Sequence, residues 1–300
     1  MEIYNFPFRA MGSPCEFQLY TSSKEDAESA CKKAHAEVIR LEKKYSRYRT
    51  DSVTSVINKS AGDLNGVKVD SETALLLDYA QAVYKQSSGL FDITSGVLRR
   101  AWDFRSNELP SQSIIDQTLE LVGWDQVDWQ HPFIVLKKKG MEIDFGGYVK
   151  EYAVDAAATV LRDCGITSGI VDLGGDLKVL GPHPDDKPWQ IGIRHPRDPE
   201  NAIATTTMAQ GAIASSGDYE RFMTIEGKRY THILNPKTGW PIEGFSAVSV
   251  IASECLIAGS CSTVAMLKGE QEGKTWLESL QLPYICIDND MHIDSTKNLS

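Results

Sequence analysis

Two runs of one type, Asp144-Phe145-Gly146-Gly147 and Asp172-Leu173-Gly174-Gly175-Asp176, constrain this chain more than any other feature. Each sets a carboxylate and a bare backbone at the end of an apolar, strand-like segment, residues 141–145 in one case and 169–173 in the other. Paired glycines permit positive φ and remove the Cβ, so backbone N–H groups can face an anion or a carbonyl can face a cation. Two tight turns would explain either run alone. The first run, however, is followed at once by Tyr148-Val149-Lys150-Glu151-Tyr152 and an alanine-rich stretch, which reads as a helix over 148–164. A helix N-terminus is a ready anion site. Lys150 in its first turn opposes the macrodipole by about 0.3–1 kcal/mol, which a bound phosphate would offset. The alternative is a surface lysine extended into water.

Around these runs the texture of the chain changes from helical to strand-like. Residues 15–20 alternate as a strand does, and residues 23–45 carry Ala27, Ala30, Ala34, Val38 and Leu41 at helical spacing, with Ser23 as cap. Further helices are expected from Ser71 to Gly89 and over 111–121. Strands are then expected at 133–136, 169–173, 177–180, 189–193, 203–208, 222–225, 229–234, 247–252 and 283–287, with one late helix over 254–267. Helices concentrated in the N-terminal third, followed by strands, predict an α+β fold of mixed or antiparallel sheets packed with helices. No linker or repeat divides residues 1–300, which form one large domain or two intimate subdomains.

Composition narrows the function. A net charge of −10 and the lack of a basic patch argue against nucleic acid, whose phosphates must be met by Lys and Arg. Lys137-Lys138-Lys139, the longest basic run, reads as a solvated hairpin turn ending in Gly140. The six cysteines show neither C-x-x-C pairs nor zinc spacing, so reduced thiols are expected. With no signal-like N-terminus and no apolar run near the roughly 20 residues of a membrane span, a cytoplasmic location is expected, without membrane insertion.

A second dense region runs from Ser215-Ser216-Gly217-Asp218-Tyr219 through a Gly227-Lys228 turn to Thr231-His232-Ile233-Leu234-Asn235-Pro236. His232 is expected in a strand just before the Asn-Pro turn, where it would act as a base, bind a ligand's polar edge, or be satisfied by a backbone carbonyl. Gly259-Ser260-Cys261-Ser262-Thr263 lines a helix with small and hydroxyl groups, which suits close packing and also suits a hard cation.

Taken in order, these motifs resemble the ApbE family of FAD:protein FMN transferases. The resemblance spans nearly the whole chain. It rests on Ala10-Met11-Gly12-Ser13, Tyr45-Ser46-Arg47-Tyr48, Ser55-Val56-Ile57-Asn58 and Gly89-Leu90-Phe91-Asp92-Ile93-Thr94, and on the two glycine runs with Lys150 and Asp155. Ser215 to Tyr219, then His232-Ile233 ahead of Pro236, Thr238-Gly239 and Pro241, complete it. The resemblance implies an ApbE-like fold and transfer of FMN from FAD to a Thr or Ser of a partner flavoprotein, with release of AMP and dependence on Mg²⁺. It implies FAD contacts at Met11, Tyr48, Leu90, Phe91, Asp92, Asp144, Lys150 and Ile233. Metal ligands are implied at Gly147, through its carbonyl, and on the late helix at Thr263 and the adjacent Ser262. His232 is the candidate acceptor of the hydroxyl proton. The family's aspartate at the head of that helix is here Gly259, and its usual glycine after the lysine is here Glu151. Glu151 or the FAD phosphates would then compensate for the lost charge. The same motifs admit an FAD pyrophosphatase giving FMN and AMP, or a non-catalytic FAD-binding protein, the latter favoured by Gly259.

Overall fold

The computed structural model describes residues 1–106 and 108–299. The chain opens with a hairpin, β1 (Glu2–Ala10) and β2 (Ser13–Thr21), followed by α1 (Lys24–Tyr45), α2 (Val53–Lys59), the short β3 (Val67–Lys68) and α3 (Ser71–Gln86). A 3₁₀ segment (Ile93–Arg100), α4 (Gln112–Leu119), a 3₁₀ turn (Trp124–Gln126), the hairpin β4 (Val127–Gln130) and β5 (Phe133–Leu136), and a second 3₁₀ turn (Phe145–Gly147) lead into α5 (Val149–Asp163). Next come β6 (Ser168–Leu173), β7 (Asp176–Gly181), β8 (Trp189–His195), β9 (Asp198–Met208), β10 (Gly211–Gly217), β11 (Phe222–Ile225), β12 (Lys228–Thr231) and β13 (Ala247–Ala252). The described chain closes with α6 (Cys255–Lys268), α7 (Glu270–Leu280), β14 (Tyr284–Ile287) and β15 (Ile293–Ser295).

The frame is an eight-stranded sheet in the order β1-β2-β6-β7-β10-β13-β14-β15. Its strand pairs are antiparallel, as are those of the smaller sheets β3-β5-β4, β8-β9 and β11-β12. One face carries α1, α5 and α6 over a core that includes Phe17, Leu19, Leu41, Val154 and Val250, all buried. On the other face the β8–β9 hairpin lays Trp189, Ile191, Ile193 and Met208 against Ile170, Ile213, Ile251 and Ile285. Because both faces are covered, β13 and β14 are buried along their whole length and read as apolar runs without alternation. The α+β class is as expected, and among the described residues three of the seven α-helices lie beyond residue 148. Among the described residues no helix is long and apolar enough to cross a membrane.

Local chemistry explains most boundaries. Ser23 caps α1 by accepting from Asp26 N, and Ala27, Ala30, Ala34, Val38, Leu41 and Tyr45 form its buried stripe. Four expectations need correction. Residues 141–144 are not a strand: Ile143 pairs with the side chain of Asn58, which accepts from Ile143 N at 2.7 Å and donates to its carbonyl at 3.0 Å, and Asp144 N makes a single bond to Ile93 O at 2.8 Å, so no ladder forms. The lysine run is a turn, yet it leads into this irregular segment and not into a returning strand. The turn of the β11–β12 hairpin is Glu226-Gly227, both at positive φ, rather than Gly227-Lys228. Finally, β12 ends at Thr231, so His232 lies just past the strand. From there Ile233 and Leu234 turn to pair with Ile242 and Pro241.

Candidate active site

The two glycine runs converge on one charged corner. In the first, Asp144 caps the 3₁₀ turn by accepting from Gly146 N at 2.9 Å, and α5 starts two residues after Gly147. In the second, Gly174 and Gly175 form the two-residue turn between β6 and β7, at φ +69° and +90°. Asp172 accepts from Gly175 N at 2.8 Å and thereby closes that turn. Asp176, 2% exposed, then places Oδ2 2.7 Å from Lys150 Nζ, while its Oδ1 accepts from Ser215 N at 3.1 Å. Burial would lower the Lys150 ammonium, but the Asp176 carboxylate more than offsets this and raises it above the usual lysine range. The β1–β2 turn joins the same corner: a Cβ on Gly174 would stand 2.7 Å from Ser13 Cβ and 3.9 Å from Lys150 Nζ.

Next to this corner α5 and α6 are locked in register. Asp155 on α5 accepts from the backbone N–H groups of Cys255 and Leu256, each at 2.9 Å, and so caps α6 from a neighbouring helix. Lys178 bridges Asp155 (3.1 Å) and Glu254 (2.6 Å) and donates to Ser253 O (2.6 Å). One turn back along α5 is Glu151, and one turn on along α6 is Gly259, so the two must face each other. The Glu151 carboxyl is buried, within hydrogen-bonding reach of the Asp176 carboxylate; burial first, and Asp176 second, push it up to about 8. Further along α6, Ser262 donates to Gly259 O (2.9 Å), and the Ser216 hydroxyl bonds both Ser262 and Thr263 at 2.9 Å.

Beside these groups lies an open cleft of about 570 Å³. Its wall takes Leu90, Phe91, Asp92, Ile93 and Gly96 from one side, Asp144 and Gly147 from the turn before α5, Ile233 and Leu234 from the segment after β12, and Thr263 and Leu267 from α6. Arg47 holds the Asp144 carboxylate by an ion pair and donates to the Tyr48 hydroxyl at 2.8 Å. Next in sequence to the wall residue Ile233, His232 places Nδ1 3.1 Å from Arg221 O. A carbonyl only accepts, so Nδ1 carries the proton and Nε2 keeps its lone pair. Burial lowers the His232 imidazole below its ordinary range, which favours that neutral form.

The chain matches the model of the ApbE family over residues 11–286. It is 33% identical over 243 residues to the FAD:protein FMN transferase of Chlamydia pneumoniae, an alignment covering 78% of this chain and 75% of that protein. It is 26% identical over 306 residues to the FAD:protein FMN transferase of Klebsiella pneumoniae, covering 99% and 93%. The crystal structure of the ApbE protein of Thermotoga maritima superposes with a TM-score of 0.89 at 28% identity, over 98% of this chain and 97% of that one. The chain belongs to the ApbE family.

Of the residues singled out by the ApbE resemblance, the cleft wall unites Leu90, Phe91, Asp92, Asp144, Gly147, Ile233 and Thr263. The Asp92 carboxylate is already engaged: it accepts from Thr94 N, Thr94 Oγ1 and Trp124 N at 2.8, 2.6 and 3.0 Å, so Asp92 shapes the wall through its backbone. Lys150 stands at the charged corner. Met11 is half-buried at the adjoining β1–β2 turn, at φ +53°. Tyr48 is 77% exposed and stands outside the wall, tied to it through Arg47. Ser262 is fully buried behind Thr263 with its hydroxyl bonded internally, so the hydroxyl on the wall is that of Thr263. Two participants were not singled out from sequence. Asp176 follows Lys150 by 26 positions and only the fold pairs them; Arg47 sits beside Tyr48 in the motif, but its partner Asp144 is 97 residues away.

Proposed function

We propose that this chain transfers FMN from FAD to a threonine or serine of a partner flavoprotein and releases AMP. The observation that carries this reading is a cleft lined by the fixed carboxylate of Asp144, the bare Gly147 and the Thr263 hydroxyl, with Gly147 one turn of chain before Lys150 and its partner Asp176. The relatives with the same family pattern are named FAD:protein FMN transferases. The apolar walls of Leu90, Phe91 and Ile233 suit flat rings, and Asp144, held by Arg47, suits ribose or adenine donors. Lys150, its charge secured by Asp176, suits the diphosphate.

The donor set also fits Mg²⁺. Gly147 faces the cleft with no atom within 4 Å of where its Cβ would be, Thr263 offers a hydroxyl, and Glu151 Oε2 is buried without a partner. Such oxygens match a hard cation. Gly147, Thr263 and Glu151 would hold it, and it would neutralise charge on the diphosphate. With the cation bound, Glu151 would be ionised and would supply the negative charge whose absence at position 259 favoured a non-catalytic protein.

In the transfer step the acceptor hydroxyl oxygen bonds to the FMN-side phosphorus. The bond from that phosphorus to the bridging oxygen breaks, and AMP leaves with that oxygen. The hydroxyl proton passes to Nε2 of His232, which Arg221 O keeps as the acceptor tautomer. Phosphoryl chemistry of this kind depends on positioning and charge more than on covalent catalysis. The six unpaired cysteines suit the reducing cytoplasm as the site of reaction.

The test is incubation with FAD, Mg²⁺ and a flavoprotein bearing a target threonine. AMP and acceptor-bound flavin should form in equal amounts; AMP with free FMN would instead mean hydrolysis, and no turnover would mean binding alone. His232→Gln should lower transfer by about 10²-fold or more while sparing FAD binding. The wild-type rate should hold below the ordinary histidine pKa of 6.5 before it falls with acid, because burial lowers His232 and only its neutral form accepts the proton. Unchanged transfer by the glutamine variant removes His232 from the step.

A further inference from the structure

Resting on the flavin-transfer reading above, the geometry points to Glu151 as the carboxylate ligand of the divalent cation, with Gly259 present to make room for it. A Cβ built on residue 259 would stand 2.5 Å from Glu151 Cγ and 3.0 Å from its Cδ and Oε1. Any side chain at 259 therefore excludes Glu151 from its present place. The contact is with the inner part of the glutamate side chain, which the Asp155 cap on α6 holds across from the glycine.

The charge count of the corner supports the same assignment. Glu151 and Asp176 are both buried, their carboxylates adjoin, and Lys150 is the cation paired there. With both carboxylates ionised the three groups carry a net charge of −1, and Glu151 Oε2, which only a shared proton could tie to Asp176, has no donor. A buried carboxylate oxygen left unpaired is disfavoured, because it has lost its hydration and gained nothing in return. A divalent cation satisfies it and reverses the sign of the local charge, which an incoming diphosphate then balances. Thr263 and Gly147, both on the cleft wall, supply further oxygens beside it. Glu151 and Gly259 are thus one linked exchange: the carboxylate is carried by α5, and α6 gives up its side chain.

Mn²⁺ serves as the probe, with free ion counted from its electron paramagnetic resonance signal in the presence of FAD and absence of acceptor. FAD binding is followed separately by flavin fluorescence, and folding by circular dichroism. The wild type should bind one Mn²⁺ per chain, and Glu151→Gln should weaken it at least about tenfold while remaining folded. The double variant E151G/G259D, which returns the carboxylate to α6, should recover Mn²⁺ affinity to within about threefold of wild type. G259D alone should unfold at lower temperature, since two side chains then compete for one space. If E151Q binds Mn²⁺ as tightly as wild type, or wild type binds FAD but no Mn²⁺, the assignment falls and the flavin reading stands. If FAD does not bind at all, the flavin reading itself falls.

Discussion

The turn before α5 and the turn between β6 and β7 each carry an aspartate followed by Gly-Gly two residues later, and each aspartate accepts an amide of its own turn. Their backbones differ. Gly174 and Gly175 take φ values of +69° and +90°, which side-chain-bearing residues avoid, whereas Gly146 and Gly147 sit in a 3₁₀ turn without positive φ. In the hairpin, then, the glycines are needed for conformation. Before α5 they are needed for bareness, since Gly147 faces the cleft with no neighbour within 4 Å of its Cβ position. The hairpin turn also delivers Asp176 to Lys150 and so couples the two runs through one ion pair.

Breaking that coupling should have the largest effect on stability. Lys150→Met leaves Glu151 and Asp176 buried side by side without their cation, and loss of one partner of a buried pair costs about 3–5 kcal/mol. The cost should depend on pH when EDTA removes divalent ions. The Glu151 carboxyl, raised to about 8 against an ordinary 4.5, takes up a proton on folding; its contribution is full below 4.5 and is lost as pH rises through about 8. Without Lys150 the carboxyl rises further, so the variant should lose most at alkaline pH and least near about pH 5. Urea unfolding at both ends of that window measures this, and an equal loss at both would separate Lys150 from the carboxylates.

Gly174→Ala comes next. It combines a left-handed backbone with a Cβ 2.7 Å from Ser13 Cβ, so about 1–3 kcal/mol should be lost. Gly175→Ala meets no atom within 4 Å and should lose less, from backbone strain alone. Equal denaturation midpoints for the two variants would show that contact with the β1–β2 turn does not matter.

What could be read from the residues follows the same division between local and distant causes. The helices α1 and α3 have caps and apolar stripes set by residues a few positions apart, and their boundaries were legible to within a few residues; α6 was legible as an apolar run, although its cap, Asp155, lies 100 residues away. The elements left unread have weaker local signals. β1 is an edge strand exposed along much of its length, which blurs its alternation, and α7 buries little beyond Gly273 and Leu277. Gly273 reads as a helix breaker, yet it lets α7 approach α6 so closely that a Cβ would stand 2.4 Å from Ala265 O. At the candidate site, Asp144, Lys150 and Thr263 stood out in sequence because each belongs to a local motif. Their partners Arg47 and Asp176 required the fold, because nothing near them in sequence announces an ion pair.

The smallest change in stability, and the sharpest separation of the two turns, should come from Gly147→Ala. Its φ is not positive and its Cβ would meet nothing within 4 Å, so unfolding should shift by no more than about 0.5 kcal/mol. The added methyl would nevertheless project where the backbone borders the cleft, and FAD affinity should fall although the fold is untouched. Fluorescence titration with FAD, run beside urea unfolding, measures both quantities on the same samples. A variant that loses stability but binds FAD normally would mean that the bare backbone serves the turn and not the ligand. The two glycine pairs would then have the same purpose, and the distinction between conformation and access would collapse.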